Sequence, residues 1–172
     1  MKLPETFIKN SQNVNAIIET PKGSGNKYVY DQKLRLFKLG KILPQGIIFP
    51  GHFGFLPATK GEDGDPLDIM VLMDEPSYPG CLIECKILGV IEAEEQEDGH
   101  TQRNDRLIAA ALESQRYKDI NSIKKMDKEN ILELVNFFMA YTNLDNKDFK
   151  PLRHKGPKTA IKLIKEQQIG SN

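Results

Sequence analysis

Glu62-Asp63-Gly64-Asp65-Pro66-Leu67-Asp68-Ile69-Met70-Val71-Leu72 sets three aspartates within six residues and runs them straight into an apolar strand. Carboxylates this close repel one another, and seating them against an apolar strand is costly unless cations or protons neutralise them. A donor set made only of oxygen favours Mg²⁺, Mn²⁺ or Ca²⁺. Asp63 and Asp65 share a face of an extended chain, whereas Asp68 points the other way. Pro66 fixes φ and Gly64 opens unusual backbone angles, so a bend between them brings Asp68 round to the others. The plainer alternative is an acidic turn that solubilises a strand end. An EF-hand loop is excluded: counted from Asp63, its sixth position holds Asp68 where glycine is required.

Outward from this cluster, the 172 residues fit one domain, 1–172, and contain no linker that would divide it. Lys plus Arg and Asp plus Glu both number 24, so no global field points to nucleic acid or to an anionic membrane. Any anion site has to be local. Met1-Lys2-Leu3-Pro4-Glu5 lacks a long apolar region, and no stretch approaches a membrane span, so the expected location is the cytoplasm. Cys81 and Cys85 read as reduced thiols, because no nearby His or Cys completes a zinc set.

Short β-branched and aromatic runs fill the first half: 15–19, 26–30, 35–39, 69–73 and 82–91. Turn residues separate them, which predicts an antiparallel sheet or small barrel. Asn104 to Leu112 begins like another strand, and Glu94 to Asn104 reads as a hairpin loop with its tip near Asp98-Gly99. From about Lys128, Ile131, Leu134, Val135, Phe138 and Tyr141 recur at helical spacing behind Asp127, a candidate N-cap. Thr159 to Gln168 predicts a second helix. Lys147 to Lys158 reads as a solvated charged face, and His52 as a packed or surface histidine and not a ligand. Gly23-Ser24-Gly25 lacks Walker spacing and reads as a turn.

Asp63-Gly64-Asp65-Pro66-Leu67-Asp68 is preceded by Glu19-Thr20-Pro21-Lys22-Gly23-Ser24-Gly25-Asn26-Lys27-Tyr28 and by Phe49-Pro50-Gly51-His52-Phe53-Gly54-Phe55. It is followed by Gly89-Val90, Arg106-Leu107-Ile108-Ala109 and Phe137-Phe138 with Tyr141. In this order the motifs resemble the family I soluble inorganic pyrophosphatases over most of the chain, from Asn15 to Ile164. The resemblance implies an α+β, mainly β fold: an OB-like five-stranded β-barrel with two packed helices. It also implies Mg-dependent hydrolysis of pyrophosphate to two phosphates by a metal-activated water, with several Mg²⁺ ions per site and Mn²⁺ as a possible substitute. A homo-oligomer, a hexamer by family resemblance, is expected.

Carried over residue by residue, Asp63 and Asp68 hold metal and Asp65 accepts the proton of the attacking water. Lys27, Lys41, Arg106 and Tyr141 contact phosphate oxygens, although core packing competes for Tyr141. Glu95 and Asn104 align with further metal positions, with Glu97 and Asp98 also available beside Glu95. Asp105 replaces Asn104 only if the backbone shifts by one residue, because strand neighbours face opposite sides.

The chain also departs from the family's pattern. Val29 stands for a glutamate, Lys41 for an arginine, Phe53 for a tyrosine, Asn104 for an aspartate and Thr142 for a lysine. Val29, Phe53, Asn104 and Thr142 motivate a competing reading, a catalytically weakened protein that binds pyrophosphate, phosphate or metal, and the lost contacts motivate another, a hydrolase of a different small phosphoanhydride.

Overall fold

β-branched and small apolar residues alternate along five strands that close into a ring. These are β1 (Val14–Thr20), β4 (His52–Phe55), β5 (Asp68–Leu72), β8 (Arg106–Ala111) and β6 (Leu82–Glu97). The computed structural model describes residues 3–169. Residues 1–2 and 170–172, the ends of the expected 1–172 domain, lie outside them, as do Met1 and Lys2 of the N-terminal reading. Around the ring β1 pairs with β4, β4 with β5, β8 with β6, and β6 again with β1, all antiparallel. The pairing of β5 with β8 is parallel, which the expected antiparallel sheet did not include.

Alternation sorts the barrel's residues into two cores. Ile69, Val71, Leu107 and Ala109 join Val14, Ala16 and Ile18 on one face, where the helix α2 (Pro157–Glu166) adds Ala160 and Ile164. Met70, Leu72, Ile108 and Ala110 turn to the opposite face. There the helix α1 (Lys128–Asn143) lays down Leu134, Phe137 and Phe138. Both faces of β5 are buried in these two cores, which accounts for its uninterrupted apolar run.

Each helix start has a local cause. Pro157 occupies the first turn of α2, where a missing N–H costs nothing. Asp127 sits at the N-cap of α1 in extended geometry, but its side chain makes no capping bond. Close approach fixes Gly54, since a Cβ there would run into the Ile17 carbonyl of β1.

Beyond the ring, β2 (Asn26–Asp31) and β3 (Leu36–Ile42) form a separate hairpin. β6 outlasts the barrel and pairs there with β7 (His100–Arg103) and β9 (Asp148–Lys155). The expected turn at Asp98-Gly99 joins β6 to β7, but most of the expected loop is strand. β9 lies within 147–158 and is largely exposed, as expected of a solvated face, but it is a strand that buries Phe149. Its signal is weak because Phe149 is its only buried residue.

Candidate active site

Asp68, the first residue of β5, continues the face that carries Met70 and Leu72, and Arg106 of β8 continues the face of Ile108 and Ala110. The parallel register pairs Ile69 with Leu107, so Asp68 and Arg106 come side by side where the apolar face ends. Arg106 donates through Nη1 to Asp68 Oδ2, and through the same nitrogen to Asn104 Oδ1 at 2.6 Å. On β6, Ile91 and Ala93 share this face, and Glu95 extends it. The Glu95 carboxylate accepts from Asn104 Nδ2 at 2.8 Å and from Lys147 Nζ at 3.0 Å, with Arg106 Nη2 4.0 Å away. Phe138 and Phe149 lie against the guanidinium, 5.6 and 5.8 Å from its carbon.

The opposite wall comes from the β2–β3 hairpin. Lys27 is buried, with Nζ 3.0 Å from Glu19 Oε2 and 4.0 Å from the centroid of the Phe53 ring. Glu19 also accepts the Tyr30 amide at 2.7 Å, so its carboxylate is locked in place. Between the walls lies a cleft of about 510 Å³. At roughly 30 Å³ per water, that is room for a diphosphate together with several hydrated cations.

The acidic loop enters the cleft from one side. Gly64 adopts φ +89°, the left-handed region glycine tolerates, and Asp63 Oδ1 accepts the Asp65 amide at 3.0 Å. Among the described residues, the Asp65 carboxylate has no protein partner. Burial pushes the Asp68 carboxyl above its ordinary value, and Arg106 and Lys27 oppose that rise. Tyr141 lines the cleft with its phenol raised well above the usual range, chiefly by burial. Bonds from Glu95 and then Glu97 hold the Lys147 ammonium above its ordinary value.

The other expected residues fall at the margins. Lys41 is at the rim, 2.6 Å from Asp145 Oδ2 and 4.4 Å from the centre of the Tyr141 ring. Asp105 faces away from Asn104 and Arg106, as strand alternation requires, and no one-residue shift brings it back. Its carboxylate accepts from Arg103 at 2.8 and 2.9 Å and from the Ala93 amide at 2.9 Å, beside a second groove next to α2. Of the substituted positions, Val29, Phe53, Asn104 and Thr142 line the main cleft, and Lys41 does not.

Three contributors carried no role in the sequence reading: Glu19, Asp145 and Lys147. Glu19 stood inside a quoted motif and was open to notice. Lys147 was hidden, since a lysine in a charged run looks solvated until β9 carries it to Glu95.

Whether this donor set fits metal ions follows from its charges. Six carboxylates line the cleft (Glu19, Asp63, Asp65, Asp68, Glu95 and Asp145) against three cations (Lys27, Arg106 and Lys147), a net formal charge of −3. An excess of hard oxygen donors suits divalent cations. Among the described residues, however, no three Asp, Glu, His or Cys side chains already converge on one point as a metal set would. The fit lies in the loop of Asp63, Asp65 and Asp68, while Glu95 is engaged by protein groups. Two buried polar atoms beside the cleft, Arg106 Nε and Thr142 Oγ1, have no partner among the described residues.

An OB-like barrel that carries such a cleft, acidic yet walled by buried cations, defines an enzyme that handles phosphate with metal ions. The family model described as inorganic pyrophosphatase matches residues 16–169, and the chain belongs to that family. It is 37% identical over 153 residues to the inorganic pyrophosphatase of Halalkalibacterium halodurans, covering 89% of this chain and 91% of that one. A crystal structure of inorganic pyrophosphatase from Thermus thermophilus superimposes with a TM-score of 0.86 at 34% identity, over 95% of this chain and 92% of the other. The structure from Coxiella burnetii gives 0.81 at 30% identity, over 90% and 92%.

Proposed function

We propose that this cleft hydrolyses inorganic pyrophosphate to two phosphates with Mg²⁺ as its metal and Asp65 as the proton acceptor. The reaction, that of an inorganic diphosphatase, follows from family membership across most of the chain. One observation carries the assignment of roles. Asp65 is the acidic group of the loop with a carboxylate free of protein partners, whereas Asp68 is held by Arg106 and Asp63 by the loop's own amide.

Pyrophosphate repels an incoming nucleophile, and bound Mg²⁺ neutralises that charge and activates water near neutral pH. Asp63 and Asp68 would hold it, with Mn²⁺ as a substitute. Lys27 and Arg106, buried on opposite walls, fix the two phosphate groups between them and stabilise the charge that develops on the departing one. Lys41 and Tyr141 reach the substrate from the rim. The aromatic groups under both buried cations keep their solvation low, which strengthens their pull on phosphate oxygens.

The same reading extends to the whole protein: one domain, a cytoplasmic location and a homo-oligomer, a hexamer on the family's pattern. Two free cysteines support a reducing compartment. Leu36, Leu39 and Ile42 stand exposed along β3, which supports self-association.

The test is phosphate release from pyrophosphate with Mg²⁺, run beside Asp65→Asn and Asp68→Asn. The expected result is efficient turnover, largely abolished by either change. Tight binding of pyrophosphate without turnover would overturn the assignment, as would much faster cleavage of a larger phosphoanhydride.

A further inference from the structure

Glu95 is 5% exposed and sits deep in the cleft wall, so its charge needs a close counter-charge. Both of its oxygens are already bonded: Oε1 to Lys147 Nζ at 3.0 Å, and Oε2 to Asn104 Nδ2 at 2.8 Å. The same ammonium lies 3.1 Å from Glu97 Oε2 and so bridges two carboxylates on one edge of β6. A divalent cation placed between those carboxylates would make the same two contacts. Position 104, beside them, is a neutral amide that adds no negative charge.

Lys147 reaches this spot through its backbone. It follows Asn146, which takes φ +58° to turn the chain from α1 into β9, and β9 then pairs with β6 so that Phe149 stands opposite Glu95. The lysine immediately precedes the paired strand and is held by Glu95 and Glu97.

We propose that Lys147 is a built-in cation that takes the place of an outer divalent ion at Glu95 and Glu97. This rests on the reading of the cleft as a metal-dependent pyrophosphatase site. An ammonium has three N–H donors, and two serve Glu95 and Glu97, which leaves one for an incoming phosphate oxygen. The charge that the acidic cleft needs on this side is therefore covalently attached. Divalent ions are drawn to the other side, where, among the described residues, Asp63 and Asp65 have no side-chain cation and Asp68 has Arg106 alone. Asn104 fits the same scheme. A carboxylate there would call for a second cation, whereas the amide bonds both Glu95 and Arg106 without adding charge.

Counting ions bound to the full-length protein, without substrate, tests the proposal through the electron paramagnetic resonance signal of free Mn²⁺. Lys147→Gln frees both carboxylates, so it is expected to bind one more Mn²⁺ per chain than the wild type. Lys147→Arg, which keeps the charge, is expected to bind as the wild type does. Glu95→Gln is expected to leave the wild-type count unchanged, because the lysine already holds that position.

An unchanged count in Lys147→Gln would overturn the proposal. So would the loss of one ion in Glu95→Gln, a result that stays decisive even if Lys147→Gln fails to fold. The count requires no turnover. A wild type that binds Mn²⁺ in this pattern but releases no phosphate would remove the proposed function and leave the cation assignment standing.

Discussion

The ammonium of Lys27 lies 4.0 Å from the centroid of the Phe53 ring. Where the resemblance leads one to expect a tyrosine, residue 53 is a phenylalanine that gives the neighbouring cation an aromatic seat. Glu19, 3.0 Å away on the other side, completes the clamp.

Phe53→Leu removes the ring face but nearly keeps the apolar volume. A cation–π contact of about 1 kcal/mol corresponds to roughly fivefold in affinity. The KM for pyrophosphate is therefore expected to rise about fivefold with a smaller change in kcat, measured by steady-state phosphate release. An unchanged KM would show that the ring does not position Lys27.

Asp65→Asn separates catalysis from stability. Because no protein group bonds this carboxylate, the melting temperature should stay within about 1–2 °C of the wild type, a change of under ~0.5 kcal/mol. Activity should fall by about 10²-fold or more, as expected for loss of a positioned base. A large drop in thermal stability would mean that Asp65 is a structural group.

Arg106→Met should damage both properties. It leaves Asp68 without its cation, and breaking a buried pair costs about 3–5 kcal/mol, less here because the Asp68 side chain keeps 29% exposure. A loss of about 2–3 kcal/mol is expected in urea unfolding. Adding Asp68→Asn to this variant should restore much of the stability and none of the activity. Strictly additive losses would contradict the pairing.

His52 supplies a pH dependence remote from the chemistry. Its Nε2 accepts the Ser77 amide at 3.0 Å, so Nδ1 carries the proton shared with the Val71 carbonyl, 3.3 Å away. Burial lowers its pKa below the ordinary 6.5. The folded state then binds fewer protons than the unfolded chain, so this stabilisation is complete above about pH 6.5 and drains away as pH falls through the folded value. Between the two values the slope is about 1.4 kcal/mol per pH unit. Unfolding between pH 7.5 and 5 should show that decline, and His52→Gln, which keeps an acceptor for Ser77, should flatten it.

Much of the fold was legible because its signals are local. The apolar run 69–72 is a strand buried on both faces, and the 3.6-residue period beyond Lys128 is a helix that buries Leu134, Phe137 and Phe138. Of the two placements read for His52, packed or at the surface, the fold takes the packed one. The strand β9 escaped because a charged edge strand with one buried residue has no periodicity to detect.

At the cleft, the sequence specified chemistry but not company. Asp63, Asp65 and Asp68 point to a cation-binding loop because three carboxylates in six residues repel one another as they run into an apolar strand. Which group neutralises which depends on register. The parallel pairing of β5 with β8 gives Asp68 to Arg106, and strict alternation turns Asp105 away toward Arg103. The β6–β9 pairing brings Lys147 to Glu95 across 52 residues of chain. Composition and spacing along one segment carry no information about a partner strand's offset, and a slip of one residue exchanges the faces of every side chain on that strand. The residue types were therefore set by the linear chain, and their pairing into a working site only by the closed barrel.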